Sequence, residues 1–286
     1  MKKFNELLTI CMVSFHSDKI IKKILKTIPL KYKVIVTDNA ISKDLKDNLE
    51  NSFENVEVIT PTSNLGNGGG ANYALKKINT KYALYLDVDT ILEEDTIDKL
   101  IKIANSENSW GIIAPNLKNF NYKENCYLKK NTSKETSRMN FIEGCALLFN
   151  MKELDAIGFY DEKIFLYFEE NDLFFKCLKN NKNLLLCQNV YIEHLGNASV
   201  DTKYNLEIEL NRNWHYMWSK FYYYKKNYSY LRGIRETIIQ FIKAIIKLSF
   251  YYFINKNKFL IYKNRFSGLF NSYTNRSSWK RPDIKL

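Results

Sequence analysis

The sequence predicts an α/β fold in which helices cover both faces of a mixed, mostly parallel β-sheet. Short apolar runs alternate with helical patterns through the first half of the chain, which is the order that parallel sheets require. The runs are apolar throughout, as at 82–86, which is typical of strands buried on both faces. With 286 residues, 45% of them hydrophobic and 26% charged, the chain can bury one large core, or one core with a small appendage.

The first half opens as β-α-β and continues the alternation. In order, we expect a strand at 7–15, a helix at 17–28 stopped by Pro29, a strand at 33–37, a helix near 43–52, a short strand at 56–59, a glycine-rich loop at 64–72 leading into a helix through about 78, and a strand at 82–86.

From about residue 111 the pattern changes. We expect an apolar segment at 111–115, a long polar surface loop at 116–138, an apolar segment at 145–149, a helix at about 152–156, a loop at 158–162, a helix at about 170–180 and a last core strand at 184–192.

The C-terminal tail differs from the body in charge. Residues 1–211 hold 27 Lys+Arg and 29 Asp+Glu (net −2), whereas residues 212–286 hold 16 and 2 (net +14). This asymmetry points to a polyanionic partner, either nucleic acid or an anionic membrane leaflet.

Residues 236–254 of this tail predict an amphipathic helix. Its polar residues recur at spacings of four, three and four on one face, while isoleucines fill the other. Lys243 and Lys247 interrupt the apolar stretch, so we expect a helix that lies in an anionic membrane interface and does not span it. The apolar face fits lipid better than nucleic acid, so no nucleic-acid partner is expected. Packing on the body, or on a second subunit in a homo-oligomer, is the open alternative.

The five cysteines are odd in number and form no C-x-x-C pair, which favours reduced thiols and a cytoplasmic protein. With the tail, this predicts a peripheral protein at the inner face of the cell membrane.

Two polar pairs follow predicted strands. Asp87-Val88-Asp89 closes the run at 82–86, so both carboxylates are expected just outside the sheet, where open α/β folds bind ligands. Carboxylate oxygens suit Mg²⁺ or Mn²⁺, which commonly bridge phosphates. We therefore predict a metal and diphosphate site, the alternative being a solvated turn.

Asp38-Asn39 could contact a nucleobase, although an Asx turn is the alternative there.

The cluster Gly66–Gly70 lets the backbone approach a ligand, and the helix that follows offers N–H groups to anionic oxygens. No Lys-Ser or Lys-Thr follows it, and it lies at a distance from the strand before it. Neither an NTPase nor a dinucleotide oxidoreductase is well supported.

Three acids, Glu169, Glu170 and Asp172, lie in the first turn of a predicted helix after an aromatic stretch. The helix dipole favours acids there, so they can be structural. The aromatic neighbours favour a general base that takes a proton from a hydroxyl. His194, just past the last predicted strand, could reach a metal already held by Asp89.

Seven motifs occur in an order that resembles one family. They are Asp38-Asn39, Asn64-x-Gly-x-Gly-Gly-Gly-x-Asn72, Asp87-x-Asp89, Gly144-Cys-Ala-Leu-Leu148, Gly158-Phe-Tyr-Asp-Glu162, Phe165-Leu-Tyr-Phe-Glu-Glu-Asn-Asp-Leu173 and His194-x-Gly-x-x-Ser199. Over about residues 7–215 the chain resembles the inverting family 2 glycosyltransferases of GT-A fold, particularly their rhamnosyltransferase-like and galactofuranosyltransferase-like branch.

The resemblance implies roles for these residues. Asp38 would contact the nucleobase, Asp87 and Asp89 would hold a divalent metal on the donor diphosphate, and His194 would help to hold it. Glu170 would be the base. The donor-side residues that it implies are Ser14, His16, Asp38, Asn39, Asn64, Gly66, Gly69, Gly70, Asn72 and Asp87.

Two positions depart from the family pattern. The family most often has Glu-Asp at 169–170, so the base could instead be Glu169 or Asp172. His16 stands where Asn is common.

The implied reaction is a metal-dependent single displacement from a UDP- or dTDP-sugar to a saccharide acceptor, expected to be lipid-linked, in bacterial surface polysaccharide synthesis. Residues 1–211 would form the GT-A domain, with about 1–115 binding the nucleotide sugar and about 116–211 the acceptor, and residues 212–286 the tail. A non-catalytic nucleotide-sugar or glycan-binding module of the same fold is the main alternative. A sugar nucleotidyltransferase would want a glycine-rich loop with a basic residue after the first strand, which Ser14-Phe-His-Ser-Asp18 is not.

Overall fold

The computed structural model describes residues 4–131, 133, 135–196 and 205–283. These residues form two compact units. The first contains the described parts of 1–65, 70–160 and 173–200, and the second those of 66–69, 161–172 and 201–286. The second unit therefore joins the tail to two short segments from the sequence motifs. The predicted domain boundary between 211 and 212 falls inside a helix.

The first unit is built on one sheet that contains ten strands within the described residues. These are β1 Leu8–Ser14, β2 Lys33–Asp38, β3 Val56–Ile59, β4 Tyr82–Leu86, β5 Thr90–Leu92, β6 Trp110–Leu117, β7 Tyr127–Lys129, β8 Thr136–Met139, β9 Ala146–Asn150 and β10 Asn183–His194. Their order is β3-β2-β1-β4-β9-β6-β10-β8-β7, and β5 pairs with β10. The strands β1 to β4, β6 and β10 run in one direction, whereas β9 is antiparallel to both of its neighbours. The predicted mixed, mostly parallel sheet is confirmed.

Helices cover both faces of this sheet. On one face lie α1 Asp18–Leu25, α2 Leu45–Glu50 and α4 Thr96–Ser106. On the other lie α5 Met151–Ile157 and those residues of α3 Gly66–Leu75 and α6 Glu169–Lys179 that belong to the first unit. Successive strand residues alternate between the two layers. Ile10 and Met12 of β1 enter the first hydrophobic cluster, and Cys11 between them enters the second. Continuous apolar runs were therefore the correct indicator of these strands.

Two predicted loops contain regular structure. The segment 116–138 contributes β7 and β8, and β8 pairs with β10. Its polar side chains do not prevent this, because Thr136 is buried with its hydroxyl donating to Glu107 at 2.6 Å. The glycine-rich segment is not a loop through residue 72, because α3 begins at Gly66.

Within its described residues, the tail of the second unit contains three helices, α7 Asn205–Asn227, α8 Tyr230–Ile254 and α9 Lys256–Tyr273. The side chains of Ser229 and Asn255 cap α8 and α9 by accepting backbone N–H groups three residues later. Met217, Phe221 and Leu269 form the small apolar core between the helices. The predicted amphipathic helix at 236–254 is part of α8.

Candidate active site

Asp87, Asp89 and His194 come together at the end of β4. One ligand atom from each lies within 4.8 Å of the others. His194 Nε2 is 3.2 Å from an oxygen of Asp89 and 3.9 Å from one of Asp87. The antiparallel pairing of β5 with β10 explains the meeting, because it places His194 opposite Thr90, the residue after Asp89. His194 is thus the last residue of a strand that continues beyond the predicted end at 192.

This cluster carries excess negative charge. The pKa of His194 is raised, mainly by its hydrogen bond with Asp89, against the opposing effect of burial; the charges of Asp87, Asp89 and Glu143 add to the rise. Two carboxylates and an imidazole are a donor set that suits Mn²⁺ or Mg²⁺. The residues present therefore fit a divalent cation.

Two residues that the sequence did not single out support the cluster. The Tyr85 hydroxyl donates to Asp87 Oδ1 at 2.6 Å, which fixes that carboxylate from a position two residues earlier on the same strand face. Burial raises the pKa of Glu143, while its interaction with His194 lowers it. Alternation along β4 could have predicted Tyr85, whereas Glu143 comes from a distant loop beside the Gly144 motif.

Asp38 and Asn39 follow β2. Both oxygens of the buried Asp38 carboxylate accept backbone N–H groups, from Ala40 at 3.0 Å and Ser42 at 2.7 Å. Burial raises the pKa of Asp38, and these hydrogen bonds lower it. This is the Asx-turn arrangement, so a nucleobase contact stays a prediction. Asn39 Oδ1 accepts the N–H of Leu65 at 3.3 Å, which ties the end of β2 to the start of the glycine segment.

The other donor-side residues fall into different surroundings. A Cβ on Gly70 would lie 2.9 Å from both Asn39 and Val13, so the glycine permits this close packing. Asn72 makes two hydrogen bonds with the backbone of Tyr160, at 3.0 and 3.1 Å. Ser14 is fully buried, and its hydroxyl has no hydrogen-bond partner among the described residues. His16, two residues beyond the end of β1, adopts a positive φ of 51°.

The remaining predicted residues are distributed as follows. Asn64 is half-buried in the first unit, Gly66 and Gly69 lie in the second unit, and Ser199 lies outside the described residues.

The three candidate bases belong to the second unit and differ in their partners. Glu169 is 1% exposed and accepts a hydrogen bond from Asn67 Nδ2 at 3.1 Å. Asp172 is 1% exposed and bound by Lys226 at 2.7 Å and Asn227 at 2.8 Å. Glu170 is half-buried and so reaches solvent.

Comparison with known proteins identifies the family. The sequence model of glycosyl transferase family 2 matches residues 9–160, more than half of the chain. The chain belongs to glycosyl transferase family 2. The family match includes Asp38, Asp87 and Asp89 and ends before Glu170 and His194, so roles for the last two rest on the structure and on the motif resemblance.

Relatives of this glycosyltransferase agree with the family. The low-salt glycan biosynthesis hexosyltransferase Agl10 of Haloferax volcanii is 25% identical over 217 residues, which is 68% of each chain. Among solved structures, the mannosyltransferase PcManGT from Pyrobaculum calidifontis, in complex with GDP-Man and Mn²⁺, has a TM-score of 0.57 at 11% identity, covering 93% of this chain and 86% of that one. Residues 1–349 of S. aureus TarS have a TM-score of 0.55 at 13% identity, covering 94% and 92%. These similarities show the GT-A fold.

Proposed function

We propose that this glycosyltransferase moves a hexosyl group from a nucleotide-diphosphate donor to a saccharide hydroxyl with inversion. The cluster of Asp87, Asp89 and His194 at the carboxyl end of β4 carries this proposal. Similar proteins support it: one is a hexosyltransferase, and solved structures of the same fold contain GDP-Man with Mn²⁺ or UDP-GlcNAc.

The acid cluster serves the donor. Asp87, Asp89 and His194 would hold Mn²⁺ or Mg²⁺, which when bound would offset negative charge on the diphosphate leaving group. The Tyr85 hydroxyl keeps Asp87 in the orientation to serve as a ligand.

Glu170 serves the acceptor. Its carboxylate takes the proton of the acceptor hydroxyl while that oxygen forms a bond to the anomeric carbon. The bond from that carbon to the diphosphate oxygen breaks, and the nucleotide diphosphate leaves with the electron pair. A positioned base typically contributes about 10²–10⁴ in rate. Glu170 is preferred because it is half-buried and so reaches solvent, whereas Glu169 and Asp172 are each 1% exposed.

Donor identity is best tested with a panel of UDP-glucose, UDP-N-acetylglucosamine, dTDP-rhamnose and GDP-mannose, each with Mn²⁺ and scored by nucleotide release. Asp89→Asn should abolish turnover and weaken Mn²⁺-dependent nucleotide binding, whereas Glu170→Gln should abolish turnover and leave binding near wild type. Asp155→Asn and Glu94→Gln, both at exposed positions, are matched controls that should behave as wild type.

Equal loss of nucleotide binding in the Asp89 and Glu170 variants would contradict their separate roles. Tight nucleotide-sugar binding without turnover of any donor would instead support a non-catalytic binding module.

We further propose that the acceptor is lipid-linked and that α8 holds the enzyme at the cytoplasmic membrane surface. One side of α8 contacts α7 and α9 through residues such as Gly233, Thr237 and Ala244. The opposite side exposes large apolar side chains: Leu231, Ile238, Ile239, Ile242, Ile245, Ile246, Phe250 and Phe253. The same helix contains Arg232, Arg235, Lys243 and Lys247, and residues 212–286 hold 16 Lys+Arg against 2 Asp+Glu, which complements anionic lipid.

By length and composition α8 could also cross a membrane, a test that core helices of soluble proteins pass too. Packing with α9 favours an interfacial position. Phe241 stacks on Phe266 at 5.2 Å and Tyr251 on Tyr262 at 5.6 Å, so α9 follows α8 along several turns. A spanning α8 would carry the cations of α9 into hydrocarbon, which is costly.

Vesicle co-sedimentation tests this position. Ile239, Ile246 and Phe253 are 60%, 62% and 87% exposed, so replacing all three with serine removes apolar contacts at little cost to the fold. Binding to phosphatidylcholine vesicles with about 30% phosphatidylglycerol should fall more than about 100-fold, since each large apolar side chain contributes about 1.5 kcal/mol or more.

The matched control replaces three apolar residues exposed elsewhere, Leu30, Ile41 and Leu128, with serine and should bind like wild type. Unchanged binding of the α8 variant would refute membrane docking. A lipid-free wild-type dimer that the α8 variant dissociates would assign the face to a second subunit.

A further inference from the structure

One face of α7 runs along the segment that carries the candidate base. The contacting residues recur every three to four positions and so form a single helical stripe: His215, Tyr216, Ser219, Tyr222, Tyr223, Lys226 and Asn227. Each of them has a partner in residues 161–172, within the same compact unit. The sequence predicted that residues 212–286 form a membrane-binding tail, with packing on the body or on a second subunit as the alternative.

The middle of the stripe grips the loop before α6. Tyr167 and Phe168 both have positive φ, 64° and 68°, which is an uncommon conformation that costs of order 1–3 kcal/mol for each residue. Such backbone persists only when its surroundings fix it. The Ser219 hydroxyl donates to the carbonyl of Leu166 at 2.8 Å, and the ring of Tyr216 lies against those of Tyr167 and Phe168 at 5.7 and 5.6 Å.

The end of the stripe anchors both flanks of that loop by charge. Lys226 Nζ is 2.7 Å from an oxygen of Asp161 and 2.7 Å from one of Asp172. The Tyr222 hydroxyl donates to Asp161 at 2.9 Å, and the Asn227 amide donates to Asp172 at 2.8 Å. Burial raises the pKa of Asp161, but its hydrogen bonds, above all the one from Lys226, lower the pKa by more. The net pKa is therefore below the usual value, and the carboxylate that contacts Lys226 is ionised.

We propose that Lys226 is a positioning residue, which sets the orientation of Glu170 by clamping Asp161 before the strained loop and Asp172 after it. The clamp fixes the first turn of α6, where Glu170 lies between the buried Glu169 and Asp172. This inference rests on the proposed role of Glu170 as base. It gives the tail a part in catalysis separate from membrane docking.

The test measures nucleotide release from whichever of UDP-glucose, UDP-N-acetylglucosamine, dTDP-rhamnose or GDP-mannose the full-length enzyme turns over. Lys226→Met should lower kcat by about 30- to 100-fold, since misplacement of a reacting group by about 1 Å costs about 10²-fold. The donor KM should stay within about two-fold, because Lys226 is not a donor ligand. Lys226→Arg should restore kcat to within a few-fold, because a guanidinium can bridge two carboxylates.

The control Lys179→Met also replaces a lysine with methionine, but at the exposed C-terminal end of α6, and it should leave kcat unchanged. Should Lys226→Met fail to fold, Asn227→Ala removes one neutral donor to Asp172 and should still lower kcat several-fold. A folded Lys226→Met enzyme with wild-type kcat, or an Asn227→Ala enzyme with wild-type kcat, would overturn the proposal. Glu170→Gln separates the two levels: if it is inactive while Lys226→Met is normal, only the positioning role fails, and if it is active, the base assignment fails and the inference with it.

Discussion

His215 predicts that acid destabilises the second unit. Its imidazole is fully buried, with Nε2 2.9 Å from the carbonyl oxygen of Lys280 and Nδ1 3.1 Å from the hydroxyl of Ser278. Nε2 must donate to the carbonyl. Because burial lowers the pKa of His215, the ring is neutral and Nδ1 accepts from the hydroxyl. Protonation would remove that acceptor and place a cation beside Arg281.

The size of the effect follows from the shifted pKa. Burial lowers the pKa of His215 to about 3. The charges of Arg281 and Lys280 add to this decrease, and the hydrogen bond to the carbonyl oxygen of Lys280 opposes it. The unfolded chain takes up a proton near pH 6.5, so between about pH 6.5 and pH 3 only the unfolded state is protonated there. Stability from neutral His215 is therefore complete above about pH 6.5 and falls by about 1.4 kcal/mol per unit below it, reaching about 2 kcal/mol lost at about pH 5.

Urea unfolding followed by tryptophan fluorescence measures this loss. Three of the four tryptophans, Trp214, Trp218 and Trp279, lie in the second unit and report on it. His215→Gln keeps one donor and one acceptor and cannot titrate, so it should be less stable at about pH 8 but lose about 2 kcal/mol less than wild type on transfer to about pH 5. Equal losses in the two proteins would refute the assignment of a buried neutral histidine. The ring of His215 also lies 4.5 Å from that of Phe165, so acid should also weaken the packing of residues 161–172, the segment that contains the candidate base.

Two glycines give further predictions for stability. Gly66→Ala should lower the free energy of unfolding by about 3 kcal/mol or more, because the φ of Gly66 is 77° and the new Cβ would lie 2.0 Å from the carbonyl oxygen of Phe165. The control Gly196→Ala should lower it by about 1 kcal/mol, because Gly196 has a φ of 58° but nothing within 4 Å of the new Cβ. Equal midpoints of urea unfolding for the two variants would contradict this. Gly268→Ala should lower the free energy of unfolding by about 2–3 kcal/mol, because the added Cβ would lie 2.3 Å from the carbonyl oxygen of Trp214 and force α9 away from it. The control Ser249→Ala, at an exposed position of α8, should change that free energy by no more than about 0.5 kcal/mol in the same assay.

The sequence predicted the elements whose evidence is local. Strands β1 and β4 are apolar at most positions and β2 has the apolar run 34–36, and a strand buried on both faces leaves that pattern without reference to its neighbours. The meeting of Asp89 and His194 was also predicted, although they are 105 residues apart, because the order of motifs resembles a known family.

The sequence failed where distant partners decide the outcome. Strand β8 is mostly polar, and partners from elsewhere in the chain satisfy it when it is buried, namely the pairing with β10 and the hydrogen bond from Thr136 to Glu107. The glycine-rich segment was predicted as a loop through residue 72, yet α3 begins at Gly66, and the glycines allow close approach of Gly66 to Phe165 and of Gly70 to Val13. The contacting residues of α7 recur at helical spacing in the sequence, but no local pattern predicts which segment of the chain they contact.

The choice among the three acids at 169–172 depends on such distant partners. By sequence, each is an acid in the first turn of one helix, and the helix dipole treats them alike. In the structure Asp172 binds an ammonium and an amide from the end of α7, so taking a proton would break a buried, charge-assisted contact. Glu169 is buried against Asn67, away from solvent. A general base must gain and release a proton in each turnover, and among these three acids Glu170 is the one that solvent reaches.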